Sequence, residues 1–451
     1  MKHVYFIGIG GIGMSAIARY YHHAGYLVSG YDRTPSKLTA ALESEGIAIH
    51  YEDRPDLIPA SVTDTLVIYT PAIPASLQEL QVAKERGYRL IKRSLALGEI
   101  AKGQETLAIA GTHGKTTTST LLGHLLTDAK EGCNAFLGGI SKNYHTNLLL
   151  STNPVLVAEA DEFDRSFLQL FPDITAITAI DADHLDIYND LEHVQEAFRL
   201  FALQVKKALV LKNGVNLGID DDQLPAKVYR YAYDQPCDFY AKDIEALPGG
   251  YFRFTFHTPG APIENCQVGI PGWVNVENAI AAGAVAWLHG TSPAAIRQGL
   301  ASYAGVERRF DVHLNTPTCA YVDDYAHHPK EIAAALSSIR NIFPGRKVTV
   351  VFQPHLFTRT RDFYVEFAEA LSQAEEVILL PIYPAREEPL PGITSEIILN
   401  RIDGSKACLV PKEELLKHLE DRTIDILITF GAGDIDRLIR PITELLSQKT
   451  L

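Results

Sequence analysis

Cysteine is scarce in this chain: Cys133, Cys237, Cys266, Cys319 and Cys408 are the five among 451 residues. Their number is odd and no two stand at C-x-x-C spacing, which argues against a disulfide framework and a thiolate zinc site and fits a reducing cytoplasm. Long apolar runs are missing too; none approaches the ~18 residues that a membrane span requires, so no membrane partner is expected. Positive charge is in deficit. With 41 Lys and Arg against 55 Asp and Glu, the formal balance is -14. Such a field repels a polyanionic backbone, and no nucleic acid is expected as a partner, although a local basic cluster can still bind phosphates. Low-complexity segments are absent, and 46% hydrophobic with 21% charged residues is the composition of an ordinary globular protein. The stretch VYFIGIGGIGM after Lys2, followed by Ala16-Ile17-Ala18, imitates a short secretory signal. Four glycines inside it suit a turn better than a signal helix.

What is present is a recurring layout. A chain of this length should divide into two to four domains of roughly 100 to 200 residues each. HVYFIGIG, then MSAIARYYHHAG, then YLVSGYD reads as strand, glycine turn, helix and strand, with later apolar runs TLVIYTP and YRLIK. The logic restarts at ETLAIAGTHGKTTT and continues through PVLVAEAD, ITAITAID and KKALVLK, each reading as a buried parallel strand. YRYAYDQPCDFYAKDIEALPGGYFRFTFHTPGAPIENCQVGIPG, with its short aromatic strands and Pro/Gly turns, reads as an antiparallel excursion. A third unit opens at CAYVDDYAHHPKEIAAALSSI. The fold expected is α/β, in three domains at 1–104, 105–312 and 313–451, each built on a largely parallel sheet, the outer two Rossmann-like and the central one a P-loop domain.

The chemistry gathers at strand ends. In IAGTHGKTTTST the spacing GxxxxGKT fails, because Ile109 stands where its first glycine would be, yet a compact phosphate loop remains. Gly111, Thr112, His113 and Gly114 can turn backbone N–H groups inward, the next helix offers its positive end, and Lys115 adds a cation. Thr116 or Thr117 can then hold Mg²⁺. EADEFD places Glu159 just past one strand and DADHLD places His184 just past another, both at the carboxyl edge of the sheet. Glu159 is an orthodox magnesium ligand, whereas His184 is an unusual one, since magnesium prefers oxygen.

The first turn, IGIGGIGMS, fits G-x-G-x-x-G through Gly8, Gly10 and Gly13, with Asp32 at the end of the second strand. Taken alone this reads as an NAD site. The motif reports a diphosphate on a helix N-terminus, and another nucleotide diphosphate can lie there equally well. GVERRFD sets Arg308 and Arg309 where a guanidinium could meet a γ-phosphate, or where two surface charges simply meet water. DDYAHHP and FQPHLFTRTRDF add Asp324, His327, His328, His355, Arg359 and Arg361, suited to a carboxylate-bearing substrate or to ordinary salt bridges.

IGIGGIGMS, GTHGKTTT, EADEFD, DHLD, NVENA, ERRFD, DDYAHHP and FQPHLFTRTRD together resemble, in order and spacing, the Mur ligases, ATP-dependent amide-forming enzymes of peptidoglycan precursor synthesis. The resemblance covers essentially the whole chain. Within the family FQPHLFTRTRD, LLPIYPAREEPLPG and GAGDI most resemble the branch that joins L-alanine to UDP-N-acetylmuramate. The resemblance implies that the P-loop, Gly111 to Thr117, takes ATP, while Gly8, Gly10, Gly11, Gly13, Met14, Ser15 and Asp32 take the UDP-sugar. It implies that Lys115 contacts the ATP phosphates, that Thr116 and Glu159 hold one Mg²⁺, and that His184 helps bind a second. By the same resemblance Asn275 and Asn278 read adenine, Arg308 meets the γ-phosphate and Asp324 the ATP ribose or its surroundings. His327, His355 and Arg359 match positions of the amino-acid site, and either histidine is a candidate base for the amine. The oligomeric state, monomer or dimer, is left open.

Three positions depart from the family pattern. Phe198 stands where many members carry a carbamylated lysine, a lack typical of the alanine-adding branch. Val274 stands where the asparagine motif usually begins with histidine, and Leu356 where the branch often has arginine. The competing readings are a ligase that attaches a preformed tripeptide to the same UDP-sugar, an NAD-dependent oxidoreductase built on the first turn, and a nucleotide-driven motor using only the P-loop.

Overall fold

The computed structural model describes residues 2–181, 190–385 and 387–449. Among these residues three sheets form. The first holds β1 (His3–Ile7), β2 (Leu27–Tyr31), β3 (Ala48–His50), β4 (Thr65–Tyr69) and β5 (Arg89–Lys92), all parallel, in the order β3-β2-β1-β4-β5. Val4, Tyr5, Phe6 and Ile7 are fully buried because the strand is covered on both faces. β1 lies between β2 and β4, so the chain leaves it at a switch point, where the crevice for a ligand opens.

The second sheet comprises β6 (Glu105–Ala110), β7 (Asn134–Ser141), β8 (Thr146–Leu149), β9 (Val155–Glu159), β10 (Ile174–Ile177), β11 (Ala208–Lys212), β12 (Lys227–Ala232), β13 (Phe239–Leu247), β14 (Tyr251–His257) and β15 (Ile263–Gln267). Its order is β15-β14-β13-β12-β11-β10-β6-β9-β7-β8, with β6 again between its neighbours β10 and β9. The aromatic stretch differs from its sequence reading. β12 runs parallel to β11, and β13 pairs parallel with β12 through Tyr231↔Phe239 and Ala232↔Tyr240; β14 and β15 are antiparallel. An alternating apolar pattern reports one buried face and carries no information about strand direction.

The third sheet, β16 (Asp311–Asn315), β17 (Ala320–Asp324), β18 (Val348–Phe352), β19 (Glu376–Leu379), β20 (Ala407–Leu409) and β21 (Ile426–Phe430), has the order β16-β17-β21-β18-β19-β20. It is parallel except for the edge strand β16. Asp311 and Val312, ahead of the boundary expected at 313, already pair in this sheet.

The chain gathers into two compact units: Met1–Glu245 with Arg253–Ile270 and Asn275–Gly305, and Ala246–Phe252 with Pro271–Val274 and Val306–Leu451. In the first, the sheet of β1 and the sheet of β6 share one continuous apolar core, reached through the helix Ile12–His23, which buries Met14, Ala16, Ile17 and Ala18. Asn147 of β8 fastens that helix, its Nδ2 donating to the Ile12 carbonyl at 2.6 Å and to Ser15 Oγ at 2.9 Å. Among the described residues no helix is long and apolar enough to cross a membrane.

Candidate functional site

The stretch that opens the second sheet is a phosphate loop in geometry. β6 ends in buried Ala110, Gly111 takes φ +132, and Gly114 at φ +78 caps the helix Lys115–Asp128. A Cβ on Gly111 would stand 2.2 Å from Thr178 Oγ1, and one on Gly114 2.8 Å from Asn278 Oδ1, so both approaches demand glycine. The loop is braced from β10's end. Thr178 Oγ1 donates to the carbonyls of His113 and Ala110, Thr112 N donates to Ala179 O at 3.0 Å, and Asp181 N donates to Thr112 Oγ1 at 3.2 Å. His113 Nε2 lies 3.2 Å from Asp181 Oδ2.

Lys115 Nζ donates to Gly111 O at 2.7 Å and to Glu162 Oε1 at 2.9 Å, with Glu162 Oε2 at 2.8 Å. Burial pulls its pKa down, but the charges of Glu162, Asp161 and Glu159 outweigh burial and raise it, so the ammonium stays charged. Thr116 is buried at the first turn. Glu159 closes β9, and its carboxylate occupies the space a side chain on Gly138 would need: a Cβ there would lie 2.0 Å from Oε2. A hydroxyl and a carboxylate are the oxygen donors a hard divalent cation takes, and the bare backbone at Gly138 leaves the carboxylate its room. His184, expected at a second metal, lies outside the described residues. Among the described residues no group of three or more His, Cys, Asp or Glu gathers as a metal site. Asn278 Nδ2 donates to Asn275 Oδ1 and Thr118 Oγ1 donates to Asn278 Oδ1, both at 3.3 Å, so both asparagines sit buried against the phosphate-loop helix. Tyr303 Oη adds a bond to the Thr117 carbonyl at 3.2 Å.

The first glycine turn is built differently. Gly8 has φ +87, and Gly8 N and Ile9 N donate to Tyr31 O at 2.8 and 3.0 Å. Asp32 points inward: Oδ2 accepts from Gly10 N at 2.7 Å and Oδ1 from Thr34 N at 3.1 Å. Its carboxylate therefore shapes the turn itself. Met14 and Ser15 are buried, and Ser15 Oγ donates to Ile12 O at 2.9 Å while accepting from Asn147. The exposed part of this turn is the backbone at Gly11, which caps the helix.

In the second unit β17, β21 and β18 lie side by side, and their carboxyl ends deliver Asp323 and Asp324, Gly431, and the Gln353–His355 corner. Arg308, at φ +63, donates from Nε to Asp323 Oδ2 at 3.2 Å and from Nη2 to Gly431 O at 2.6 Å. Asp324 accepts from Phe310 N at 2.8 Å and from Ala326 N at 2.7 Å. Burial pushes its carboxyl up to about 6 against the pull of Arg309 and those amides. His327 stands edge-on to Tyr325 and to His355, and His355 stacks on Tyr383. Burial lowers the His327 pKa to about 4; Glu331 raises it, Arg359 and Arg309 depress it further, and the ring is neutral at pH 7. His328 is a cap: its side chain accepts from Lys330 N at 3.3 Å at the start of the helix Pro329–Ile342. Leu356 precedes the helix Phe357–Leu371 in the left-handed region, φ +68, held by its N–H to Tyr383 O at 3.0 Å and by Thr360. Phe198 is fully buried among Phe167 and Phe201, an aromatic core with no place for a lysine carbamate.

Two residues escaped sequence reasoning. Glu162, three places from Glu159 in EADEFD, pins Lys115, and Arg93 lies against the first glycine turn. The signal for Glu162 was present in the acidic spacing; nothing in the order of residues points to Arg93.

Comparisons with known proteins agree along the whole chain. Residues 3–105 match the family model "Mur ligase family, catalytic domain", 109–286 the "Mur ligase middle domain" and 308–433 the "Mur ligase, glutamate ligase domain". A UDP-N-acetylmuramate--L-alanine ligase of Porphyromonas gingivalis is 50% identical over 99% of this chain and 99% of its own. One of Parabacteroides distasonis is 48% identical over 99% of this chain and 97% of its own. The crystal structure of a UDP-N-acetylmuramate-alanine ligase from Thermotoga maritima superposes with a TM-score of 0.84 at 28% identity, covering 99% of both chains. A murein peptide ligase of Psychrobacter arcticus, at 21% identity and a TM-score of 0.72, shares the fold.

Proposed function

The chain belongs to the Mur ligase family, and from that premise we propose that it joins L-alanine to the lactoyl carboxylate of UDP-N-acetylmuramate with conversion of ATP to ADP and phosphate. The observation that carries this reading is likeness at 50% identity over 99% of the chain to a ligase of that name. The three sheets take three roles. The first, within residues 1–104, receives the UDP-sugar, the second, within 105–312, receives ATP, and the third, within 313–451, receives the amino acid.

A carboxylate resists an amine because its charge opposes attack and oxide is a poor leaving group. Transfer of the γ-phosphoryl group to the lactoyl carboxylate gives an acyl phosphate, and the neutral amine of L-alanine then displaces phosphate through a tetrahedral intermediate. The chain's contribution is positioning and charge. Lys115, held charged by Glu162, faces the developing charge on the phosphates, and such preorganised contacts carry several kcal/mol each. By the family resemblance Asn275 and Asn278 would read adenine, Arg308 would meet the γ-phosphate, and Asp324, which holds the backbone at Phe310 and Ala326, would serve the ATP ribose or its surroundings. Thr116 and Glu159 would hold Mg²⁺, with His184 at a second ion. The metal's role is to neutralise charge on the β- and γ-phosphates.

Of the two candidate bases, His355 is preferred. A ring with a pKa near 4, such as His327, is a weak acceptor for a proton from an ammonium group. His327 instead orients His355 through their edge-on contact, and Arg359 takes the carboxylate of the amino acid. We place the enzyme in the cytoplasm, where its nucleotide substrates are, with no nucleic acid or membrane as partner.

The test is phosphate release with UDP-N-acetylmuramate, ATP and Mg²⁺ while the third substrate is varied among L-alanine, glycine, L-serine and a tripeptide. Turnover with L-alanine is expected. Turnover with the tripeptide alone would place the chain in the peptide-recycling branch, and absence of amide, and of hydroxamate when hydroxylamine replaces the amino acid, with folded protein would end the reading.

A further inference from the structure

The first glycine turn brings no cation of its own. Its helix begins Ile12-Gly13-Met14-Ser15, so the turn itself offers a diphosphate backbone amides and the helix end. The structure supplies the missing charge from elsewhere. Arg93 starts the helix Arg93–Ala101 directly after β5, and its guanidinium folds over the turn: a Cβ on Gly13 would lie 2.5 Å from Arg93 Nη1 and 3.4 Å from Cζ. Its other nitrogen, Nη2, donates to Asp161 Oδ2 at 2.9 Å, and the pair is only partly covered, at 25% and 32% side-chain exposure.

Asp161 belongs to the short loop whose remaining acids serve the ATP side. Glu159 precedes it in the Gly138 cradle, and Glu162 follows it on Lys115. Asp164 takes Lys92, the neighbour of Arg93, at 2.7 Å, and both Asp164 and Arg165 sit at φ +52, a left-handed pair of non-glycine residues. Backbone strain of this kind persists where surroundings hold it, and it concentrates at functional loops. Alternate acids of one loop thus grip basic residues on opposite sides: Asp161 and Asp164 reach the first sheet's domain, and Glu162 reaches the phosphate loop.

We propose that Arg93 receives the diphosphate of the UDP-sugar and that, through Asp161, it links occupancy of that site to the loop bearing Glu159 and Glu162 at the ATP site. The proposal rests on the UDP-sugar reading given above and adds its charge-bearing contact. A guanidinium can offer two N–H groups to a diphosphate, which a lysine cannot match. Drawing Arg93 from Asp161 onto a ligand frees one end of a loop whose next residue, Glu162, pairs with Lys115, so the two nucleotides should alter each other's affinity reciprocally.

Isothermal titration tests this with UDP-N-acetylmuramate, UDP and uridine, each with and without a non-hydrolysable ATP analogue. Arg93→Ala should weaken UDP-N-acetylmuramate and UDP about ten- to a hundredfold while leaving uridine unchanged, the loss typical of a charge-assisted contact. Arg93→Lys should recover part of it. Asp161→Asn should retain UDP binding and abolish the difference that the ATP analogue makes in the wild type. Equal loss of UDP and uridine, or no loss of either, overturns the diphosphate contact. A wild-type affinity indifferent to the analogue, or a difference that survives in Asp161→Asn, overturns the link. Should Arg93→Ala fail to fold, the UDP-to-uridine ratio in Arg93→Lys decides. A wild type that binds neither UDP ligand defeats the functional reading itself, an outcome distinct from failure of Arg93 alone.

Discussion

Two turns of the same outline, strand then glycines then helix, sit at the switch points of adjoining sheets, and their differences lie in what surrounds them. At Gly111–Gly114 the loop carries its own lysine, acids stand behind that lysine, and Thr178 braces the backbone from the next strand. At Gly8–Gly13 an inward carboxylate, Asp32, ties down Gly10 N, and the nearest cation, Arg93, is borrowed from a different helix. Glycine geometry therefore tells only that phosphate can approach. Under the proposed function, side chains from other strands decide which nucleotide arrives: one turn would polarise a phosphoryl group about to leave, the other would hold a diphosphate that never reacts.

Lys115→Ala should cut phosphoryl transfer by about a thousandfold, on the scale of losing one preorganised charge contact, while UDP-N-acetylmuramate binding in the absence of ATP stays close to wild type. Equal damage to both would break the division between the turns; rapid-quench ADP formation and titration calorimetry distinguish the outcomes. Gly138→Ala comes next in size. The added methyl collides with Glu159, so the Mg²⁺ concentration for half-maximal activity should rise by about ten- to a hundredfold, as for displaced metal ligands, with little change in UDP-sugar affinity. An unchanged magnesium requirement would remove Glu159 from the metal site. Asp32→Asn should have the smallest effect, weakening UDP-sugar binding by about 1 kcal/mol as the charge-assisted bond to Gly10 becomes a neutral one, without changing ATP affinity. A larger fall would mean that the carboxylate touches the ligand and does more than shape the turn.

The parallel sheets and both turns were legible because each strand is a contiguous apolar run that stops at glycine, acid or threonine, a local signal. The P-loop glycines, Lys115 and Glu159 were legible for the same reason. Strand direction in the aromatic stretch was not, since β12 and β13 lie parallel where their pattern only marks a buried face. The pairing of Lys115 with Glu162 spans 47 residues and forms only once β6 and β9 lie side by side, and that of Arg93 with Asp161 spans 68 and forms only once two sheets share a core; no local pattern encodes either partner. Met14 and Ser15 show the converse: they belong to the turn by position, but packing turns their side chains into the interior. His184, the second-metal candidate, lies outside the described residues.

Leu356 carries a different lesson. A leucine at φ +68 stores about 1 kcal/mol of backbone strain, and glycine would release it, yet glycine's extra freedom in the unfolded chain costs roughly 0.5–1 kcal/mol. The two nearly cancel. Exchange of leucine for glycine at this corner should therefore be almost weightless in folding terms, so its effect would be read at the neighbouring His355, which we assign to the amino-acid site.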